Sequence, residues 1–295
     1  MVLRRTISLN GQWEFSESGT GEWHEGRVPG CVQLDLLKKG DVRDPFYRMN
    51  EMDMHKLEGK DWIYRKDFLL TSDDMGSPVI NLVFEGVDTF AEVYLNGHWL
   101  GRTENMFIPY TYAISDKVQE GPNRLELRFE SPVRAIKEME RKSPTKYHST
   151  VESARPFIRK AQYSYGWDWG PRITQVGLWR SVYIELSDDV KIVNPFCYTE
   201  RLEEGLARLR ISAQVEVIKD TPLEAEVIVS FGDVVETRVP VRLQERGGAY
   251  RIDSTIDITH PRLWYPNGMG EQPLYEIAIR VSSQGHLMDE TRFRS

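Results

Sequence analysis

Apolar residues recur along this chain mostly at every second position. Leu125, Leu127 and Phe129 alternate with Glu126, Arg128 and Glu130, and Leu209, Ile211, Ala213, Val215 and Val217 alternate with Arg210, Ser212, Gln214 and Glu216. A period of two puts one set of side chains on a core face and the other in water, so each run predicts a half-buried β-strand. Val79–Phe84 and Phe90–Leu95 are denser apolar runs, the pattern of more deeply buried strands. Asn96-Gly97 follows, and because both residues tolerate positive φ it predicts a type I′ hairpin. Two stretches have helical character, Val32–Lys38 and Val133–Lys142, and Asn50 is placed to cap a short segment Glu51–Leu57. Past Val190, further strands are expected at Glu224–Phe231, Val234–Leu243, Tyr250–Ile258 and Tyr275–Val281. Short strands, turn signals and few helices predict an all-β fold: a β-sandwich or jelly roll over residues 1–189, then an immunoglobulin-like β-sandwich over 190–295. No Cys…Trp…Cys spacing occurs, so "immunoglobulin-like" denotes the topology class alone.

Composition narrows the functional classes. At 295 residues, 40% hydrophobic and 28% charged, the chain has material for two cored domains. The net charge of -7, with no lysine-arginine block, disfavours nucleic acid or an anionic membrane as partner. No run approaches the ~18 apolar residues of a membrane span. Cys31 and Cys197 are too few for a disulfide framework, no Asn-x-Ser/Thr acceptor occurs, and no apolar run follows Arg4 and Arg5 as in a signal peptide. Together these point to a reducing cytoplasm. The histidines are scattered without metal-ligand spacing, and no phosphate loop, nucleophile elbow or Cys-His pair appears. No metal, cofactor or catalytic residue is therefore expected.

Chemistry concentrates in residues 159–180, RKAQYSYGWDWGPRITQVGLWR. Trp167, Trp169, Trp179 and Tyr165 gather around one carboxylate, Asp168, between Gly166 and Gly170. Sugar rings pack their C–H faces on aromatic surfaces while their hydroxyls need directional acceptors, so an aromatic wall beside an acid suits a sugar. The competing reading is a glycine-punctuated turn whose tryptophans plug a core. The segment Ser143–Pro171 has little apolar periodicity and is long for a connection, which favours a functional loop more mobile than the strands. Asn50-Glu51, Trp13, Trp23, Trp62 and the turn Trp264–Gly268 read as structural.

Several segments together resemble β-mannosidases of glycoside hydrolase family 2: VPGCVQLDLLKKGDVRDPFYRMNE, KDWIYRKDF, FEGVDTFAEVYLNGHWLG, RKAQYSYGWDWGPR and PRLWYPNGMGEQPLY. The resemblance implies a sugar-binding jelly roll followed by the family's sandwich domain. It also implies retaining hydrolysis of terminal β-mannosides by two glutamates on a TIM barrel that follows the sandwich. Such a barrel needs ~250 further residues, so the chain is expected to be inactive alone, and a mannoside or oligosaccharide substrate would be shared with the barrel. By the same resemblance Asp168 would bind hydroxyls of the terminal mannosyl unit, Trp167 and Trp169 would wall the pocket, and Arg172 would hold Asp168 ionised and aimed. A stand-alone carbohydrate-binding module and a purely structural pair of β-domains are the alternatives.

Overall fold

Strand pairing realises the alternating pattern almost throughout. The computed structural model describes residues 4–218, 221–246 and 249–295. Residues Thr6–Gly76 with Ile80–Glu185 make one unit, and Leu186–Ser295 with Arg4, Arg5 and the short internal segment Ser77–Val79 make another.

The amino-terminal unit runs β1 (Arg5–Ser8), β2 (Gly11–Glu17), β3 (His24–Val28), α1 (Val32–Lys39), α2 (Glu51–His55), β4 (Trp62–Leu70), α3 (Ser72–Met75), β5 (Val79–Phe84), β6 (Ala91–Leu95), β7 (His98–Thr103), β8 (Tyr110–Ala113), β9 (Gly121–Phe129), α4 (Pro132–Lys142) and β10 (Val182–Ser187). The strands form a six-stranded sheet, β3-β2-β4-β9-β6-β7, and a four-stranded one, β1-β10-β5-β8. In β9 the expected alternation holds, with Leu125, Leu127 and Phe129 buried. Asn96 (φ 51°) and Gly97 (φ 82°) turn β6 into β7 as their sequence predicts. The Asn96 amide fastens that turn, donating to the Lys117 carbonyl and accepting from the Arg124 N–H.

Helix α4 starts at Ser131, whose hydroxyl accepts the Arg134 N–H, with Pro132 in the first turn and Arg141 and Lys142 in the last. At α2 the sequence reading needs correction: the helix forms, but Asn50 makes no side-chain cap. Asn50 is itself helical (φ -67°, ψ -17°), whereas a capping side chain needs an extended backbone to reach forward. The small α3 is too short to show a helical period in the sequence, and Thr71 and Asp74 form its reciprocal capping box.

The carboxy-terminal unit stacks β11 (Val190–Glu203), β12 (Leu206–Val217), β16 (Ala249–Thr259) and β15 (Leu243–Arg246) as one sheet. Its other sheet is β14 (Val234–Val241), β13 (Glu224–Phe231), β17 (Glu276–Ser283) and β18 (His286–Arg294). Ile211, Val215 and Ile252 of the first meet Val227, Val229, Ile277 and Ile279 of the second in one buried cluster. The single strand expected at Val234–Leu243 is two. The chain leaves β13's sheet after Val241 and joins β16's at Leu243. The fold is all-β, a jelly-roll-like and an immunoglobulin-like sandwich. Among the described residues no helix is long and apolar enough to cross a membrane, and Cys31 and Cys197 are free thiols.

Candidate functional site

The segment between α4 and β10 lacks strand periodicity because its apolar residues serve a local core. Ala154, Ile158 and Tyr165 pack with Phe90, Val133, Ala135 and Ile136. Two short 3-10 turns, Arg155–Phe157 and Gln162–Tyr165, bring them there. Lys160, wholly buried, donates to the Asp88 carboxylate and to the Gln175 carbonyl. Burial pushes its pKa down, and the Asp88 charge opposes that shift. The base of the loop is thus part of the interior.

Gly166, at φ 83°, then turns the chain outward. Trp167 and Gly170 exchange N–H···O bonds of 3.3 and 3.4 Å, which leaves Asp168 and Trp169 as a two-residue tip. Trp169 is 83% exposed and Trp167 46%. Their rings are 5.9 Å apart at 87°, edge to face, so they make a corner where the sequence suggested a flat wall. Asp168 is exposed between them, and among the described residues no hydrogen bond or ion pair engages its carboxylate.

The other aromatics of the cluster go elsewhere. Tyr165 is fully buried, and burial pushes its phenol pKa up. Trp179 donates its Nε1–H to the Met106 carbonyl at 3.0 Å and lies under the Arg180 guanidinium. Trp13 and Trp62 are core residues, and Trp23 lies 3.6 Å from the Arg65 guanidinium.

Arg172 does not hold Asp168. Its Nε and Nη2 donate to the two oxygens of Glu58 at 2.6 and 3.0 Å, and its Nη1 donates to Glu152 at 3.0 Å. The two carboxylates occupy the guanidinium's fork, and together they keep its pKa raised despite the opposing effect of burial. Sequence reasoning missed both glutamates. No spacing signal exists for them, since they lie 114 and 20 residues from Arg172.

Chemically, the turn offers one exposed anionic acceptor between two apolar faces. It has no second carboxylate for acid–base work, and among the described residues no cluster of His, Cys, Asp or Glu could hold a metal ion. Residues 13–180 match the glycosyl hydrolase 2 galactose-binding domain-like family, and residues 190–294 match glycosyl hydrolases family 2. The chain belongs to glycosyl hydrolase family 2. Within the family it is 32% identical to the β-mannosidase of Capra hircus over 97% of this chain and 34% of that protein. It is 35% identical to a crystal structure of the β-D-mannosidase from Dictyoglomus thermophilum, with a TM-score of 0.91 over 98% of this chain and 36% of that one. A Bifidobacterium dentium β-glucuronidase, 18% identical with a TM-score of 0.71, shares the fold. This family 2 chain spans about a third of the length of the curated relatives it matches.

Proposed function

We propose that this chain is the amino-terminal, two-domain portion of a retaining exo-β-mannosidase, divided at about residue 189, and that its tryptophan turn forms one edge of the pocket for a terminal β-mannosyl unit. The observation that carries this reading is the exposed, unpaired Asp168 carboxylate cornered by Trp167 and Trp169. In this role Asp168 accepts hydrogen bonds from sugar hydroxyls, and the indoles cover apolar faces of the ring. Arg172 acts on the turn and has no ligand contact. The paired carboxylates of retaining hydrolysis, about 5 Å apart, would belong to the TIM-barrel part of the longer relatives. The two free thiols suit a reducing cytoplasm.

Hydrogen bonds to a charged acceptor contribute about 1.5–3 kcal/mol each. The test is a chimera in which this chain replaces the matching third of the Dictyoglomus thermophilum enzyme. With a chromogenic β-mannoside, Asp168→Asn is expected to lower kcat/KM about 10- to 100-fold and leave measurable turnover. An unchanged rate would remove Asp168 from the pocket, and complete loss in a folded chimera would contradict a pure binding role. The chain by itself is expected to show no hydrolysis.

A further inference from the structure

We infer that Arg172, clamped between Glu58 and Glu152, is the positioning residue of the tryptophan turn and sets the angle between the indoles that flank Asp168. Its importance for sugar contact rests on the function proposed above.

An exposed two-residue turn closed by hydrogen bonds of 3.3 and 3.4 Å has little of its own to hold one shape. Its rigidity must come from its legs. The leading leg ends in Tyr165, buried in the local core. The trailing leg carries Arg172, and the two legs touch at the base: a Cβ added to Gly166 would lie 3.2 Å from the Cβ of Arg172. From there the Arg172 side chain reaches inward to Glu58 and Glu152, the three being 20%, 13% and 12% exposed. Thr174, two residues further on, donates its hydroxyl to the same Glu58 oxygen at 3.1 Å. Glu58 is held in turn, its backbone carbonyl accepting the Ser131 hydroxyl at the start of α4. The trailing leg is thereby fastened twice to one glutamate.

Arginine is required for this arrangement. Its planar fork serves both oxygens of Glu58 and still offers a third N–H to Glu152, whereas lysine presents a single point charge. Two carboxylates face one cation, so removing the guanidinium leaves two shielded negative charges to repel each other across the base of the turn.

Edge-to-face indoles at 5.9 Å couple their transitions and give a paired-sign band in far-ultraviolet circular dichroism. Trp169→Phe, which removes the partner indole, identifies that band. Arg172→Lys and Arg172→Gln are expected to reduce it at least twofold, and Glu152→Gln to reduce it less, since the Glu58 fork survives. Arg124→Gln breaks a different fork in the same unit, to Asp67. It is expected to lower Tm while leaving the band intact. Folded Arg172→Lys protein with the full band would overturn the proposal. If Arg172→Gln fails to fold, Arg172→Lys and Glu152→Gln decide, and a full band in both overturns it. Asp168→Asn should keep the band, so failure of the sugar reading and failure of the clamp give different results.

Discussion

Two tryptophan-bearing turns, one in each unit, put similar residues to different uses. Trp167–Gly170 projects a carboxylate between perpendicular indoles and is held from below by a buried tyrosine and an ionic clamp. Trp264–Gly268 has no acid at its tip and, among the described residues, no ion pair anchors it. It is closed by its own backbone and one side chain, with the Tyr265 N–H donating to the Glu271 carbonyl and the Gln272 side-chain amide donating to the carbonyls of Tyr265 and Gly270. Gly270 lies flush on the Tyr265 ring, where a Cβ would fall 2.7 Å from it. With Leu202, Leu263 and Leu274, its aromatics line an apolar groove of about 590 Å³. An exposed indole alone therefore says little about recognition. The acid beside it supplies direction, and the anchor beneath it supplies a fixed angle.

The largest expected difference between the turns lies in their foundations. Tyr165→Ala should destabilise the amino-terminal unit by about 3–5 kcal/mol through a cavity in the local core. Tyr265→Ala, at a residue 43% exposed, should cost under about 1 kcal/mol. Equal losses of Tm for the two variants would erase the distinction between a rooted turn and a surface one.

Acid titration should separate the units next. The amino-terminal unit buries Asp35, whose pKa rises from an ordinary 3.8 to about 6 because burial disfavours the charge, against the Arg27 N–H that stabilises it. A raised carboxylate pKa means the folded state keeps a proton that the unfolded chain has lost. Stability from this group is therefore greatest below about pH 4 and falls as pH rises through about 6, by about 2–3 kcal/mol in all. Asp35→Asn should flatten that slope in chemical denaturation across this window. An unchanged slope would show that Asp35 titrates normally. The buried carboxylate of the other unit, Asp289, is by contrast directly engaged, accepting the Ile192 N–H and lying 3.6 Å from the Arg4 guanidinium.

The smallest effects concern the tips. Trp169→Ala and Trp264→Ala, at exposed side chains, should each change stability by less than about 0.5 kcal/mol. Only the first should weaken turnover of the chimera. A comparable kinetic loss from Trp264→Ala would assign recognition to both turns.

The β-strands of this protein were readable because their signal is local. Period-two alternation at Leu125–Phe129 and Leu209–Val217 decides which face is buried, and Asn96-Gly97 encodes its turn in two residues with positive φ. The neighbourhood of Asp168 was readable for the same reason, as a run of aromatic residues around one acid. The sheet switch between Val241 and Leu243 was not, since the alternation of Val239, Val241 and Leu243 with Pro240 and Arg242 runs on unbroken whichever sheet it joins. Nor was the clamp. Glu58, Glu152 and Arg172 are ordinary surface-type residues until folding brings them together and shields them from water. By itself, the sequence determined an all-β chain of two sandwiches with a candidate acid between two indoles. Only tertiary structure decided that Tyr165 faces inward, that the indoles meet at a right angle, and that Arg172 grips two glutamates instead of Asp168. Strand pattern and turn chemistry act over a few residues, whereas ion pairing and burial depend on distances in space that sequence separation does not encode.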